Sequence, residues 1–526
     1  MEKKKVIILG GGIGGLSAAY ALSKRTDEFD ITIIEKNNYL GGQATENIYK
    51  TKDDASLVCW HVISSRHKFL LGIMEELIGE DGEKISSHLK IINKIIYCLK
   101  NRNYTEYDDS FIANELKTFN SAFENIYGRK ISKKDRYILY KIYTYSSMIS
   151  EERLITYDTI LWKVYIKNLS DDVKQWILYF TSIYLGIDCN KVSAYYMFRL
   201  IRNIKAYDKK NQTTKFYVFD GPISTILFDP WKKCLEERGV KILLNHSVDH
   251  IYHTNMLSTI STINVKYNNK DIIFTSDIFI NALDSKNLSK LYPISNRFTE
   301  LYENSKFVQT KILYHIPFRL RSINITTTVL VLPNAPWFLL VRIVEDLWDS
   351  EKHDYLLCGI GIWDAPGLNG KKAINCTREE LAEECWNQIN TNYDIIIQKT
   401  IPKWSIWDSF EFDIEINEED TDEPRFNNNI NIQNLRPDYI DKHLTNFYHA
   451  TSYAKTNTNI YNMESAVEAG IKTSNIICKK QDKISQKKNV QNLPKFSKIP
   501  VTNAMKVCRF IDKYLFLMSK YIDKDK

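Results

Sequence analysis

Apolar positions near the start of the chain fall in two short runs. Val6-Ile7-Ile8-Leu9 follows a basic start at Lys3-Lys4-Lys5, and Ile31-Thr32-Ile33-Ile34 is the second. Short runs rich in β-branched residues predict strands buried on both faces, as in parallel sheets. Leu16 to Ser23 between them reads as a helix, so the chain opens as strand, helix, strand. The pattern then changes. Phe69, Leu70, Ile73, Met74 and Leu77 recur at helical spacing, as do Ile138, Leu139, Ile142 and Tyr143, and Trp176 to Leu185 makes a third apolar face. His61 to about Lys205 is therefore expected to be a helical insertion. Sheet patterning returns at Phe216 to Phe219, followed by a turn at Asp220-Gly221-Pro222 and a helix from Ser224 to Arg238 that Gly239 ends. Val240 to Leu244 reads as a buried strand. Thr259 to Tyr267 and Ile272 to Phe274 form a hairpin about Asn268-Asn269, and Ile278 to Ala282 is a further strand. Residues 305 to 412 mix strands and helices, with a helix over Glu379 to Ile389. Glu418 to Asn434 is an acidic, Asn-rich loop, and Phe447 to Ile477 is strand then helix.

The segment joining the first strand to its helix carries chemistry. Gly10-Gly11-Gly12-Ile13-Gly14-Gly15 is G-x-G-x-x-G, and Glu35 closes the second strand twenty residues beyond Gly15. Strand, glycine turn, helix, strand and acid, in that order, form the dinucleotide-binding fingerprint in its required context. Gly10 allows the tight turn, Gly12 lets backbone approach a pyrophosphate, and Gly15 lets helix and strand pack closely. The helix N-terminus offers N–H groups and a positive dipole end to phosphate, and Glu35 can accept hydrogen bonds from ribose hydroxyls. The fingerprint alone does not separate FAD from NAD.

Length and charge narrow the class. A chain of 526 residues is expected to hold two intertwined domains. The nine cysteines are scattered without C-x-x-C, which indicates neither a zinc site nor a redox dithiol and fits reduced thiols in a cytoplasmic setting. The apolar stretch after Lys3 to Lys5 is broken by glycines too soon for a signal peptide. No segment has the uninterrupted apolar length of a membrane span; the nearest, Thr326 to Val344, contains Pro333, Asn334, Pro336 and Arg342. Lys479 to Lys526 holds thirteen Lys or Arg against four Asp or Glu, a net +9, while the whole chain is +7, leaving about −2 for the rest. The basic character belongs to a tail, which argues against a nucleic-acid-binding fold. Within that tail Gln481 to Ser497 is a polar linker. Val507, Phe510, Ile511, Tyr514, Leu515, Met518 and Ile522 then make a helical stripe, with Lys506, Arg509, Lys513 and Lys520 among them. Such a helix is expected to bury its stripe on its own domain; the alternative is peripheral contact with an anionic membrane.

Three separated segments resemble the phytoene desaturase branch of the FAD-dependent amine oxidase superfamily. One is the fingerprint continued through Gly41-Gly42-Gln43-Ala44, a second glycine pair just after the ribose acid. The next is Phe219-Asp220-Gly221, a helix, Gly239-Val240-Lys241-Ile242, Asn245 to Ile251, and Asp277 to Asp284. The last is Arg436-Pro437, Asn446 to Thr456 and Met463 to Gly470. Together they cover about a third of the chain. The resemblance implies an α/β fold with a Rossmann-type FAD-binding domain, a mixed α+β substrate domain and a helical insertion. The FAD-binding domain would be discontinuous, over 1–60, 215–290 and 436–480. Residues 61–214 and 291–435 would bind substrate, and 481–526 would form the linker and tail helix. It implies noncovalent FAD held by Gly10, Gly12, Ile13, Gly14, Gly15, Glu35, Lys36, Gly41, Gly42, Gln43, Val248 (through its backbone, on the adenine side), Ser452 and Met463. A helix N-terminus near Tyr461 to Met463 would face the flavin pyrimidine, where it stabilises negative charge.

Two departures bear on activity. Relatives place an Asp before the closing tyrosine, where this chain has Thr451-Ser452-Tyr453. Near Leu57-Val58-Cys59-Trp60-His61 only the histidine of Glu-x-Gly-x-His remains. His61 is the candidate polar group near the flavin, with a structural histidine as the alternative. Trp337, Trp404 and Trp407 line a cavity or serve as core aromatics; Arg436 reaches a phosphate or forms a surface salt bridge; Glu464 caps or pairs. No H-E-x-x-H or G-x-S-x-G occurs, and no metal site is expected. The expected activity is FAD-dependent removal of hydride from a small apolar substrate, isoprenoid- or carotenoid-like, or from an amine. The substrate pocket is expected between residues 61–215 and 305–412, with His61 at its flavin end. The alternatives are an FAD-binding protein that has lost turnover and an NAD-dependent dehydrogenase.

Overall fold

The computed structural model describes residues 2–45, 47–48, 55–56, 62–91, 94–98, 104–107, 123–124, 128–185, 190–208, 215–254, 258–292, 294–307, 310–316, 328–332, 334–344, 354–363, 365–392, 400–402, 404–408, 425–485 and 503–522. Its centre is a five-stranded parallel sheet in the order Lys241–Leu243, Phe29–Ile34, Lys4–Leu9, Ile278–Asn281, Phe447–His449. Alternation divides the sheet between two cores. Val6, Ile8, Ile31, Ile33 and Ile280 face the helices Ile13–Leu22 and Met463–Ser485. Ile7, Leu9, Ile34, Phe279 and Phe447 face a smaller three-stranded antiparallel sheet and the helices Ser285–Leu291 and Arg297–Ser305. Both faces are covered, which is why these strands read as continuous apolar runs.

The smaller sheet pairs Ser247–Thr254, Thr259–Tyr267 and Lys270–Phe274. Its two-residue turn is Asn268-Asn269, with φ of 48° and 60°. Positive φ at both central positions suits a hairpin turn whose twist matches its strands, and Asn tolerates it. The expected helix from Ser224 is a wide turn over Ser224–Phe228 that continues as the helix Asp229–Glu237.

A second, seven-stranded sheet runs Trp404–Asp408, Thr310–Ile316, Asp354–Ile360, Leu339–Val344, Thr328–Leu332, Lys94–Cys98, Tyr104–Tyr107. One face carries Leu330, Leu332, Leu339 and Val341 and packs on the helix Arg378–Asn392. The other presents Val331, Phe338 and Leu340 to a helical layer containing Lys133–Met148, Asp171–Leu185 and Ala194–Asp208.

The stretch read as a helical insertion is not wholly helical. Ile63–Ser64 and Leu89–Ile91 flank Phe216–Phe219 in a separate three-stranded sheet. Lys94–Cys98 pairs in parallel with Thr328–Leu332. The partner lies more than two hundred residues away, so local periodicity does not reveal it.

The C-terminal helix Asn503–Ile522 docks on the helical layer, but not through its apolar stripe. Arg509 Nε donates to Ser147 O (2.9 Å), Asp512 accepts from Ser150 N (2.9 Å) and pairs with Arg153 (2.8 Å), and Lys513 pairs with Glu152 (2.5 Å). The Arg153 guanidinium lies 5.1 Å from the Phe516 ring centre. These contacts hold the polar side inward and turn Val507, Phe510, Ile511, Tyr514 and Leu515 outward, opposite to the expected self-burial. Among the described residues no helix is long and apolar enough to cross a membrane.

Candidate cofactor-binding site

The first turn joins Leu9 to the helix starting at Ile13. Gly10 has φ +103°, and a Cβ there would stand 2.9 Å from Ala282 O. Only glycine meets both conditions without strain. At Gly12 the backbone is extended, and among the described residues nothing lies within 4 Å of where a Cβ would be and no side chain caps the helix that begins there. Uncapped N–H groups over open space form the seat that a helix N-terminus offers to phosphate.

Glu35 closes its strand facing this turn. Its Oε2 accepts from Gly11 N (2.7 Å) and its Oε1 from Asn37 N (2.9 Å). Burial raises the Glu35 pKa, and the two backbone N–H groups and Lys36 partly offset it. A carboxylate has about four acceptor positions, so each oxygen retains capacity for a further donor.

The second glycine turn lies against the first. Gly41 N donates to Gly11 O (3.0 Å), Gly41 bridges Gly12, and a Cβ on Gly42 would stand 3.3 Å from Gly12 Cα. Thr45, one turn on, donates its N–H to Gly42 O (3.1 Å), while its buried Oγ1 has no partner among the described residues. A buried hydroxyl without a partner is costly.

The closing segment completes the group. Tyr461 donates to Gln43 Oε1 (2.6 Å), tying the second turn to the helix Met463–Ser485, whose first turn Asn462 caps through Ser465 N (2.9 Å). Ser452 is half-buried, and its carbonyl accepts from Ser465 Oγ (3.3 Å). Val248 is half-buried and registers with Val265. It follows His246, whose N–H donates to Glu35 O (2.8 Å). The structure thus gathers Gly10, Gly12, Ile13, Gly14, Gly15, Glu35, Gly41, Gly42, Gln43, Ser452 and Met463, while Val248 lies two residues beyond the His246 that bonds Glu35. Lys36 follows Glu35 but is exposed. His61 lies outside the described residues.

Of the other candidates, Arg436 departs from the roles read in the sequence, and Trp337 and Trp404 take the core alternative. Arg436 is 1 % exposed and makes neither a surface salt bridge nor a phosphate seat. It donates to Tyr453 O (2.8 Å), Ala454 O (2.7 Å), Asn428, Gln433 and Asn459, bracing the loop before the closing helix. Burial lowers its pKa to about 10, with Tyr195, Tyr196 and Asp158 acting the other way. Trp337 is a core residue whose Nε1 donates to Ala365 O (3.0 Å), and Trp404 packs against the same core. The Trp407 side chain lies outside the described residues.

Glu464 caps, as read in the sequence, whereas the network that follows it has no sequence signal. Glu464 accepts from Phe69 N (3.0 Å) and Leu70 N (2.9 Å), capping the helix Lys68–Met74. Burial drives its pKa up to about 7 despite those N–H groups. A polar network lies at the carboxyl ends of two central strands. His449 pairs with Asp441 (3.0 Å) and meets Asn281 (3.2 Å), which bonds Tyr453 (3.1 Å). Burial pushes Asp441 up, but His449 and the N–H groups of His443 and Leu444 outweigh it and hold Asp441 at about 2.

With this arrangement in view, the comparisons with known proteins can be placed. Residues 8–66 match the NAD(P)-binding Rossmann-like domain family. The 4,4'-diaponeurosporene oxygenase of Staphylococcus haemolyticus is 49% identical over 43 residues, 8% of either chain, so the match spans under a tenth of that relative's length. Solved structures match far more of the molecule. A putrescine oxidase bound to putrescine has 15% identity and TM-score 0.59, covering 91% of this chain and 99% of that one. The cyclohexylamine oxidase of Brevibacterium oxydans gives 14%, 0.59, 91% and 100%. The chain has the fold of these amine oxidases. An oxidoreductase from Methanosarcina mazei shares this amine oxidase fold at 16% identity and TM-score 0.57, covering 88% of this chain and 98% of its own. The amine oxidase fold thus extends well beyond the residues that match by sequence.

Proposed function

We propose that the chain is an FAD-dependent oxidoreductase that removes hydride from a small apolar substrate, isoprenoid- or carotenoid-like, or from an amine. The observation that carries this reading is the convergence on one turn of four features: the open backbone at Gly12, the Glu35 carboxylate, the second glycine turn with the unpartnered Thr45 hydroxyl, and the closing helix tied in through Gln43 and Tyr461. A single mononucleotide half would need only the first two, so the other two favour FAD over NAD. The names of the carotenoid oxygenase and the two amine oxidases support the two substrate classes.

When bound, FAD supplies the hydride acceptor. The chain's own part is to hold and orient. N–H groups from Gly12 to Gly14 would take the pyrophosphate, Glu35 would accept from ribose hydroxyls, and the Val248 backbone would meet the adenine side. Ser452 would offer a hydroxyl where relatives place an Asp. The first turn at Met463 would set a positive dipole end beside the pyrimidine. His61 is proposed to orient the substrate.

The absorption spectrum tests the cofactor. Heat or acid should release FAD at close to one per chain, and Ser452→Asp should raise occupancy. Protein given excess FAD that shows neither flavin absorbance nor binding heat would sink the proposal, and binding of NAD alone would favour a dehydrogenase. Anaerobic incubation of the loaded protein with isoprenoids and amines should bleach the oxidised flavin. A broad panel without bleaching would favour an FAD-binding protein without turnover.

A further inference from the structure

The C-terminal helix is held by one side and shows solvent the other. Val507, Phe510, Ile511, Tyr514 and Leu515 are 51–67 % exposed, at the i, i+3, i+4, i+7, i+8 spacing of a single face. Arg509, Asp512 and Phe516, on the opposite side, make the docking contacts with Ser147, Ser150 and Arg153. The helix Lys133–Met148 beneath adds its own exposed apolar groups: Tyr137 (59 %), Tyr140 (63 %) and Met148 (41 %). Lys133, Lys134, Arg136 and Lys141 are exposed among them, with Lys141 Nζ 4.7 Å from the Tyr137 ring centre, and Lys506 is exposed beside Phe510. Scattered apolar groups on a surface need no explanation; a group of them on two docked helices marks an interaction face.

We propose that this face is a peripheral docking surface for an anionic lipid bilayer. Charge decides the occupant. The helix carries Lys506, Arg509, Lys513 and Lys520 against Asp512, and Lys133, Lys134, Arg136 and Lys141 are exposed on the helix beneath, so two copies meeting through this face would bring like charge together, whereas acidic headgroups would neutralise it. Tyrosine and lysine beside a leucine, isoleucine and phenylalanine stripe is the composition of a helix lying in the headgroup–acyl boundary. Docking through Asp512 and Arg153 fixes the stripe's orientation before contact, so binding does not have to order the helix. The proposal stands independently of the flavin reading.

Vesicle flotation of the full chain tests it, with phosphatidylcholine vesicles and with vesicles containing phosphatidylglycerol. The partition coefficient should be at least about tenfold higher for the anionic vesicles and should fall as salt rises. Phe510→Glu with Leu515→Glu should lower it at least about tenfold. Ile273→Glu, at another exposed apolar position on the strand Lys270–Phe274, should leave it unchanged. Both variants change exposed side chains, and circular dichroism checks that they fold. Absence of binding to anionic vesicles, or binding that the double variant does not weaken, would overturn the proposal. A dimer that light scattering detects and the double variant dissolves, without vesicle binding, would assign the face to a second copy. These readouts are unaffected by whether FAD is bound.

Discussion

Replacing Glu464 by Gln should change how stability depends on pH, with a sign opposite to that of an ordinary paired carboxylate. The Glu464 side chain is 3 % exposed and its pKa is moved from 4.5 to about 7, chiefly by burial. A folded-state pKa above the unfolded value means that the folded protein binds more protons between the two. The contribution is therefore fully present below about pH 4.5 and is lost as pH rises towards about 7. At 1.36 kcal/mol per pKa unit, the part falling between pH 5 and pH 8 is roughly 2–3 kcal/mol. Gln does not titrate, but it puts an NH2 donor where one of the two carboxylate oxygens accepts, leaving the Phe69 or the Leu70 N–H without that acceptor at a cost of about 1–3 kcal/mol. Glu464→Gln is thus expected to be clearly less stable than the parent at pH 5 and close to it at pH 8. Urea unfolding of both proteins in matched buffers at pH 5, 6.5 and 8, followed by tryptophan fluorescence, measures the difference. A stability difference that stays constant across this range, or one that widens towards pH 8, would refute the reasoning.

Two neighbouring glycines should separate folding from binding. Gly12→Ala meets open space at an ordinary φ, so its stability should lie within about 1 kcal/mol of the parent, while FAD titration should show at least about tenfold weaker binding. Gly14→Ala would drive a methyl into Ala450 O and should cost more than about 3 kcal/mol, seen as a lower unfolding midpoint or insoluble protein. Glu35→Ala should weaken FAD by roughly ten- to a hundredfold, the worth of hydrogen bonds to a charged group; unchanged calorimetric affinity would show that the acid does not meet the ribose. Arg436→Leu should destabilise by at least about 3 kcal/mol in urea unfolding, because it strands the buried Tyr453 and Ala454 carbonyls.

The parts of the fold legible in the sequence are those with local causes. Gly10 needs a positive φ, Asn268-Asn269 must turn a hairpin, and strands covered on both faces must be apolar throughout; each demand writes itself into neighbouring residues. The same holds for the glycine-rich half of the candidate site. The rest depends on partners far along the chain. Lys94–Cys98 is a strand because Thr328–Leu332 lies beside it. Arg436 reads as a surface residue because nothing nearby shows that the carbonyls of Tyr453 and Ala454 will surround it. The tail's periodicity was legible, but which side docks was decided by Ser147, Ser150 and Arg153, more than three hundred residues earlier.

The central sheet draws its strands from both ends of the chain, and this sets an order of events on the ribosome. Lys4–Leu9 and Phe29–Ile34 emerge first, but Ile278–Asn281 gains its outer neighbour only with Phe447–His449, and Asn281 meets His449 across 168 residues. At about 5–20 residues per second that interval lasts roughly 8–34 s. Throughout it the nascent chain carries an unpaired parallel edge, open to pairing with another chain. The helix Met463–Ser485, which must close over Gly14 through Gly470, is still later. The proposed FAD site is therefore completed only after residues up to Gly470 have been made. Yield in a heterologous host should respond to chaperone supply and translation speed before it responds to added riboflavin.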